Sequence, residues 1–104
     1  MAAGERVAVN DTNHTQRDCC LEALRLDPKY SNAWHSLGLT MAAGERVQVD
    51  GTDHTQRDCY VEALRLDPNN FKAWTNLGAD MAGGERVAVN GTFISKEECE
   101  RRGR

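Results

Sequence analysis

Ala33-Trp34-His35-Ser36-Leu37-Gly38 comes back forty residues later as Ala73-Trp74-Thr75-Asn76-Leu77-Gly78. The alanine, tryptophan, leucine and glycine stay; the two residues between them change. Working outward, residues 1–40 overlay residues 41–80 without a gap and agree at twenty-six of forty positions. A third copy opens at Met81 with the same Met-Ala-x-Gly-Glu-Arg-Val-x-Val and fades after Cys99. A fixed period of this length marks a repeat array, in which each unit buries its apolar face on its neighbours. We therefore read residues 1–104 as a single repeat domain with copies at 1–40 and 41–80 and a partial copy at 81–104.

Each period contains three elements. The first is a hairpin: Glu45-Arg46-Val47-Gln48-Val49 alternates polar and apolar, and Asp50-Gly51 and then Thr52-Asp53-His54 follow. Asp-Gly between short extended runs favours a type I′ turn, because both central residues need positive φ. Asn90-Gly91 is as strong a signal, whereas Asn10-Asp11 in copy one is weaker, so the first hairpin is expected to be the least ordered. The second element is a helix opening at Thr55-Gln56-Arg57-Asp58, where a hydroxyl at the cap and a carboxylate three residues on satisfy free backbone N–H groups. Thr15 with Asp18, and Ser95 with Glu98, repeat the device. Cys59, Tyr60, Ala63, Leu64 and Leu66 cover one side, Glu62 and Arg65 remain outside, and Pro68 ends the helix.

A second helix is expected from near Ser31 and Phe71, with Ala33, Trp34, Leu37 and Met41, and likewise Ala73, Trp74, Leu77 and Met81, forming apolar stripes. Gly38 and Gly78 within this pattern each cost about 1 kcal/mol relative to Ala, which predicts a close helix approach that a side chain would block. Gly44 and Gly84 are expected to end the helix before the hairpin. The predicted core is Trp34, Leu37, Leu64, Leu66, Trp74, Leu77 and Met81.

Trp34-x-x-Leu37-Gly38, then Ala63-Leu64-Arg65-Leu66-Asp67-Pro68, then Ala73-Trp74-x-x-Leu77-Gly78, resemble the tetratricopeptide repeat; Ala23-Leu24-Arg25-Leu26-Asp27-Pro28 supplies the same helix end in copy one. The resemblance covers the helical part of each period and implies an α+β repeat. Antiparallel helix pairs would stack as a short solenoid, with a β-hairpin inserted between the helices of each unit. It departs from the family in three places. The family period is about 34 residues, and the extra residues here fall between Met41 and Thr55, where the hairpin is. Gln16 and Gln56 replace a small residue, and the aromatic that follows is Tyr60 in copy two but Cys20 in copy one. The inserted hairpin is expected to alter the superhelical curvature.

The resemblance also implies a non-catalytic protein–protein interaction scaffold, whose first helices line a surface for peptides or partner helices. Comparing the copies points the same way. Eight of the fourteen differences fall in residues 29–40 against 69–80, around the fixed Ala33, Trp34, Leu37 and Gly38. Such variation on one face is either ligand reading or an unconstrained solvated face. The candidate binding residues are Asn32, His35, Ser36 and Leu39, with Lys72, Thr75, Asn76 and Ala79 as counterparts. Lys72 and Asn76 form only part of the family's carboxylate clamp, so binding of chaperone tails is not expected.

Other chemistries are weaker. Lys+Arg 13 against Asp+Glu 16 gives a formal net charge of −3, which argues against nucleic acid or anionic lipid as partner, since either needs a concentrated basic face. Apolar runs of only a few residues make no membrane span. Without a secretory leader, Cys19, Cys20, Cys59 and Cys99 read as reduced, buried thiols of a cytoplasmic protein. His14 with Cys19, and His54 with Cys59, offer a metal-binding alternative, but a structural zinc site wants four ligands and copy three has Ile94 in place of the histidine. No metal or other cofactor is therefore expected. A Cys–His nucleophile or a Cys19-Cys20 redox pair would be a single site, whereas these residues recur with the packing, so no catalytic residue is assigned. Weak end-to-end self-association is a further expectation, because the ends of a stacked array expose apolar faces.

Overall fold

The Asp-Gly and Asn-Gly pairs do what their φ preferences dictate. Asp50 and Gly51 sit at φ 53° and 80°, Asn90 and Gly91 at 52° and 84°, the left-handed pair that a type I′ turn requires. The computed structural model describes residues 12–104, with side chains from Gln16 onward. In order, the elements are α1 (Thr12–Leu26), α2 (Ser31–Leu39), β1 (Arg46–Val49), β2 (Thr52–Thr55), α3 (Gln56–Leu66), α4 (Phe71–Asp80), β3 (Arg86–Val89), β4 (Thr92–Ser95) and α5 (Lys96–Arg102). Among the described residues this is an α+β fold of five helices and two separate antiparallel hairpins. Arg46 pairs with Thr55 and Val49 with Thr52 in one hairpin, Arg86 with Ser95 and Val89 with Thr92 in the other. The molecule extends 51 Å along one axis and 25 and 24 Å along the others.

The first hairpin expected from the sequence lies largely outside the described residues, but its second half does not follow the repeat. Thr12–Thr15 belong to α1, whereas Thr52–Thr55 form β2. Asp11 stands where Gly51 and Gly91 make the later turns, and the glycine is the residue that tolerates positive φ without cost. The expected cap Thr15 is thus inside a helix. In copy two the cap forms in full: Thr55 Oγ1 accepts from Asp58 N–H at 3.1 Å while Asp58 accepts from Thr55 N–H at 3.0 Å. In copy three only the hydroxyl half forms, because the Glu98 carboxylate is taken up by Arg101 and Arg102. Ser95 accepts from Glu98 N–H at 3.2 Å.

Helix α2 packs on α1 and α3, and α4 on α3 and α5. Leu24, Leu37, Leu64, Leu77, Cys59 and Cys99 are fully buried between them, with Trp34, Trp74 and Met81 almost so. Leu66 is only half-buried, a correction to the expected core: it is the last residue of α3, where the chain turns out into exposed Asp67 and Pro68. Each tryptophan also ties its helix to the preceding turn, donating from Nε1 to the Pro28 carbonyl at 2.9 Å and the Pro68 carbonyl at 2.8 Å. Both helix glycines are notches. A Cβ on Gly38 would lie 2.7 Å from Tyr60 Cε1, and one on Gly78 would lie 3.0 Å from Cys99 Cβ.

Gly44 and Gly84 do not end the helices. Helices α2 and α4 stop at Leu39 and Asp80, and the glycines, at φ 84° and 85°, serve a later turn closed by Glu45 N–H to Ala42 C=O and Glu85 N–H to Ala82 C=O, both 3.1 Å. Where the helices end, side chains from the following helix collect carbonyls of the last turn and of the residues just past it. Gln56 donates to Gly38 and Met41 carbonyls, both at 2.9 Å, and Lys96 takes the equivalent pair, Gly78 at 2.6 Å and Met81 at 3.2 Å. Free carbonyls at a helix C-terminus need such donors.

One further device recurs. Arg17 donates to Thr40 Oγ1 (3.2 Å), the Thr40 carbonyl (2.6 Å) and both oxygens of Glu45 (2.7 and 2.9 Å). Arg57 repeats it on Asp80 Oδ2 (2.7 Å), the Asp80 carbonyl (3.1 Å) and both oxygens of Glu85. These forked contacts hold each helix against the helix end and turn that follow the next helix. The arginine fork, with help from the Ala42 and Ala82 N–H groups, keeps the Glu45 and Glu85 carboxyls below the usual carboxylate range. A carboxyl lowered in this way contributes stability that is intact above the ordinary value of about 4.3 and is lost as pH falls through the folded value. Glu85→Gln should therefore lower the urea midpoint at neutral pH and converge with the parent in acid. Parallel curves from pH 7 down to pH 3 would rule out the staple.

Candidate functional site

Helices α2 and α4 turn their apolar stripes inward, and the residues left over meet across a groove. Ala33, Trp34, Leu37 and Gly38 are buried on α2, and Ala73, Trp74, Leu77 and Gly78 on α4. Helical spacing then places 32, 35, 36 and 39, and 72, 75, 76 and 79, on the other side of each helix. The groove has a volume of about 590 Å³ and is lined by Asn32, His35, Ser36, Leu39, Phe71, Lys72, Thr75, Asn76 and Gly103. Seven of the eight residues singled out from the sequence share this one hollow. Ala79 does not line it; it is exposed farther along α4. Phe71 and Gly103 join without having been expected, Phe71 because only the helix start fixes which way its ring points.

The groove is amphipathic. Leu39 and Phe71 are each 54 % exposed, which leaves two apolar side chains in water beside a polar floor. Along that floor Asn70, the N-cap of α4, donates from Nδ2 to Ser31 Oγ at 2.9 Å and Asn32 Oδ1 at 3.2 Å, and its own Oδ1 accepts from Ala73 N–H at 3.2 Å. Ser31 donates to the Ala63 carbonyl at 2.8 Å. His35, only 6 % exposed, brings Nε2 to 2.7 Å from Asn76 Nδ2, and Asn76 Nδ2 also donates to the Lys72 carbonyl at 2.9 Å. The His35 ring is tilted against Tyr60, centroids 6.0 Å apart. Burial, then the nearby Lys72 ammonium, holds the His35 imidazole below its usual pKa. At the far end Thr75 Oγ1 lies 3.0 Å from the Gly103 carbonyl. No Asp or Glu lines the groove.

A second hollow of about 380 Å³ continues from Ser36 and Leu39 towards α1, where it is lined by Gln16, Cys19, Cys20 and Thr40. This corrects the expectation of four buried thiols. Cys59 and Cys99 are buried, but Cys19 is exposed and Cys20 half-buried, because α1 carries on this side no counterpart, among the described residues, of the α2 segment that covers Cys59 and Tyr60. Burial, with the charges of Asp58 and Glu62 added, pushes the Cys59 thiol up to about 12, and burial also raises Cys99. Neither supplies a thiolate nucleophile near neutral pH.

The histidine and cysteine of the metal alternative are engaged separately. His54 stacks edge-on against Trp34 with ring centroids 4.8 Å apart, and Cys59 Sγ rests 3.7 Å from Met41 Sδ. His14 lies outside the residues whose side chains are described. Among the described residues, no group of three or more His, Cys, Asp or Glu side chains is arranged to hold a metal ion, and no helix is long and apolar enough to cross a membrane. Comparison with protein-family models, with curated proteins and with solved structures finds no match to the chain.

Proposed function

We propose that this chain is a tetratricopeptide-like repeat that acts without catalysis, as an interaction scaffold holding a peptide or partner helix in the groove between α2 and α4. The observation that carries this reading is the gathering of eight copy-divergent residues into one amphipathic groove, behind which the copy-invariant residues do the packing. Leu39 and Phe71, both exposed and lining the same hollow, give it apolar side chains that a bound segment would cover. The recurrence of the tryptophan, glutamine or lysine, and arginine contacts at forty-residue spacing, together with the elongated shape, supports stacked helix pairs with the hairpin set between α2 and α3 and between α4 and α5. Such stacking produces an extended surface suited to a linear ligand.

Peptides selected on the intact chain from a random display library provide the test. Leu39→Glu and Phe71→Glu are both surface changes, expected to leave the melting curve within about 0.5 kcal/mol of the parent while weakening selected peptides at least about tenfold, the loss of one apolar anchor. Phe93→Glu, on the exposed side of β4, is the control and should bind as the parent does. If Phe93→Glu abolishes binding and the groove variants do not, the hairpin face is the interaction surface instead.

A further inference from the structure

His35 is out of place in the repeat. Its counterpart Thr75 is exposed, yet His35 is, with Asn70, one of two buried polar or charged residues among those described. It lines the groove and links α2 to α4 through the 2.7 Å contact with Asn76, forty-one positions along the chain. The direction of that hydrogen bond can be assigned from its surroundings. Asn76 also points its amide at the Lys72 carbonyl, 2.9 Å away, and a carbonyl accepts only, so the group facing it must be the NH2. The second amide proton is then the one directed at His35 Nε2, which accepts it. The imidazole is therefore neutral, with its proton on Nδ1.

We propose that protonation of His35 opens the groove between α2 and α4 by breaking its hydrogen bond to Asn76. An imidazolium carries a proton on both nitrogens, so Nε2–H would face the amide N–H, donor against donor. Turning the amide over to accept it would set Asn76 Oδ1 against the Lys72 carbonyl, oxygen against oxygen. The groups around the ring give the new charge no compensation. From α4 it faces the Lys72 ammonium and from α3 the Tyr60 phenol, whose own proton is held by burial and by the nearby Asp80 carboxylate; no carboxylate lines the groove. The Asn70–Ser31–Asn32 network at the other end contains no titrating group and stays closed, so the opening pivots about it. Burial and Lys72 place the switch on the acid side of the ordinary imidazole value of about 6.5, so the groove is latched at neutral pH and released as the pH falls through the His35 midpoint. The consequence for ligand binding rests on the interaction reading above; the latch itself does not.

Nuclear magnetic resonance of the full chain, without ligand, tests the latch separately from binding. The His35 ring carbons and the Asn76 side-chain amide should titrate together with one midpoint below 6.5, while the Trp74 indole N–H signal, anchored on the Pro68 carbonyl, stays in place. Lys72→Met should move that midpoint upward. His35→Gln supplies an acceptor that takes up no proton, and should leave the Asn76 amide unresponsive over the same range. An Asn76 amide that stands still while the wild-type His35 ring titrates overturns the proposal, as does a Trp74 indole signal that moves in step with it, which would mean general unfolding. Peptide binding that fails while the paired titration appears would discard the scaffold reading and leave the latch intact.

Discussion

Replacing Trp74 by Ala is expected to lower stability by about 3–5 kcal/mol, the usual consequence of removing a buried tryptophan. Trp74 is 3 % exposed in the core between α3 and α5. It would lose its packing, the Nε1 hydrogen bond to the Pro68 carbonyl, and the Arg102 guanidinium that sits 5.1 Å above its ring. Against a total of about 5–15 kcal/mol for a domain of this kind, that loss consumes a third or more of what holds the fold together. Urea unfolding followed by circular dichroism measures it. Trp74→Phe keeps most of the volume and removes the indole N–H, so it should cost much less, with about 1 kcal/mol assigned to the missing hydrogen bond. A Trp74→Ala midpoint equal to the parent's would show that the stripe from Ala73 to Leu77 is not the core.

The second large effect comes from adding atoms rather than removing them. At Gly38 even a single Cβ meets the Tyr60 ring at 2.7 Å, and Tyr60 is itself buried, so the ring has nowhere to swing. Ala at this position gains about 1 kcal/mol of helix propensity and spends it on the collision. Val gains less, since its branched Cβ is restricted in a helix, and collides with more atoms. Gly38→Val is expected to cost about 1–3 kcal/mol, the range for overfilling a packed interior. Coupling to Tyr60 identifies the cause. Tyr60→Cys, which installs the residue found at the matching place in copy one, should relieve part of the Gly38→Val penalty in a double-mutant cycle. Strictly additive losses would mean that Gly38 matters for backbone reasons alone.

Local chemistry carried much of this into the sequence. The Asp50-Gly51 and Asn90-Gly91 turns, the Thr55–Asp58 cap and the inward stripes around Trp34 and Trp74 depend on neighbours within a few residues, so their residue types suffice to place them. The notch at Gly38 was legible for a different reason: a helix-weakening glycine recurring in a good helix implies a neighbour that needs the space. Reach was not legible. Arg57 looks like any exposed helix arginine until Asp80 and Glu85, which are 23 and 28 residues away, are brought within its fork. Gln56 likewise departed from the family pattern with no visible purpose until the Gly38 and Met41 carbonyls stood in front of it. The helix ends were misplaced as well: α2 and α4 stop ahead of the glycines that a local rule selects, where Gln56 and Lys96 meet their carbonyls. For the groove, the sequence separated variable from invariant positions, which named seven lining residues. It gave no sign that His35 would be buried against an asparagine of the other copy.

Two modules this similar in one chain face a danger of pairing with the wrong twin, since α1 and α3 share most of their residues and each has a surface that fits α2. The Tyr60 ring lying over Gly38 provides a safeguard. Were α1 to settle into the place of α3, Cys20 would arrive where the phenol belongs and leave a void the size of a ring; were α3 to displace α1, the phenol would have no notch to enter. A single bulky side chain and a single missing one thus act as key and keyway, and keep nearly interchangeable parts in their proper order.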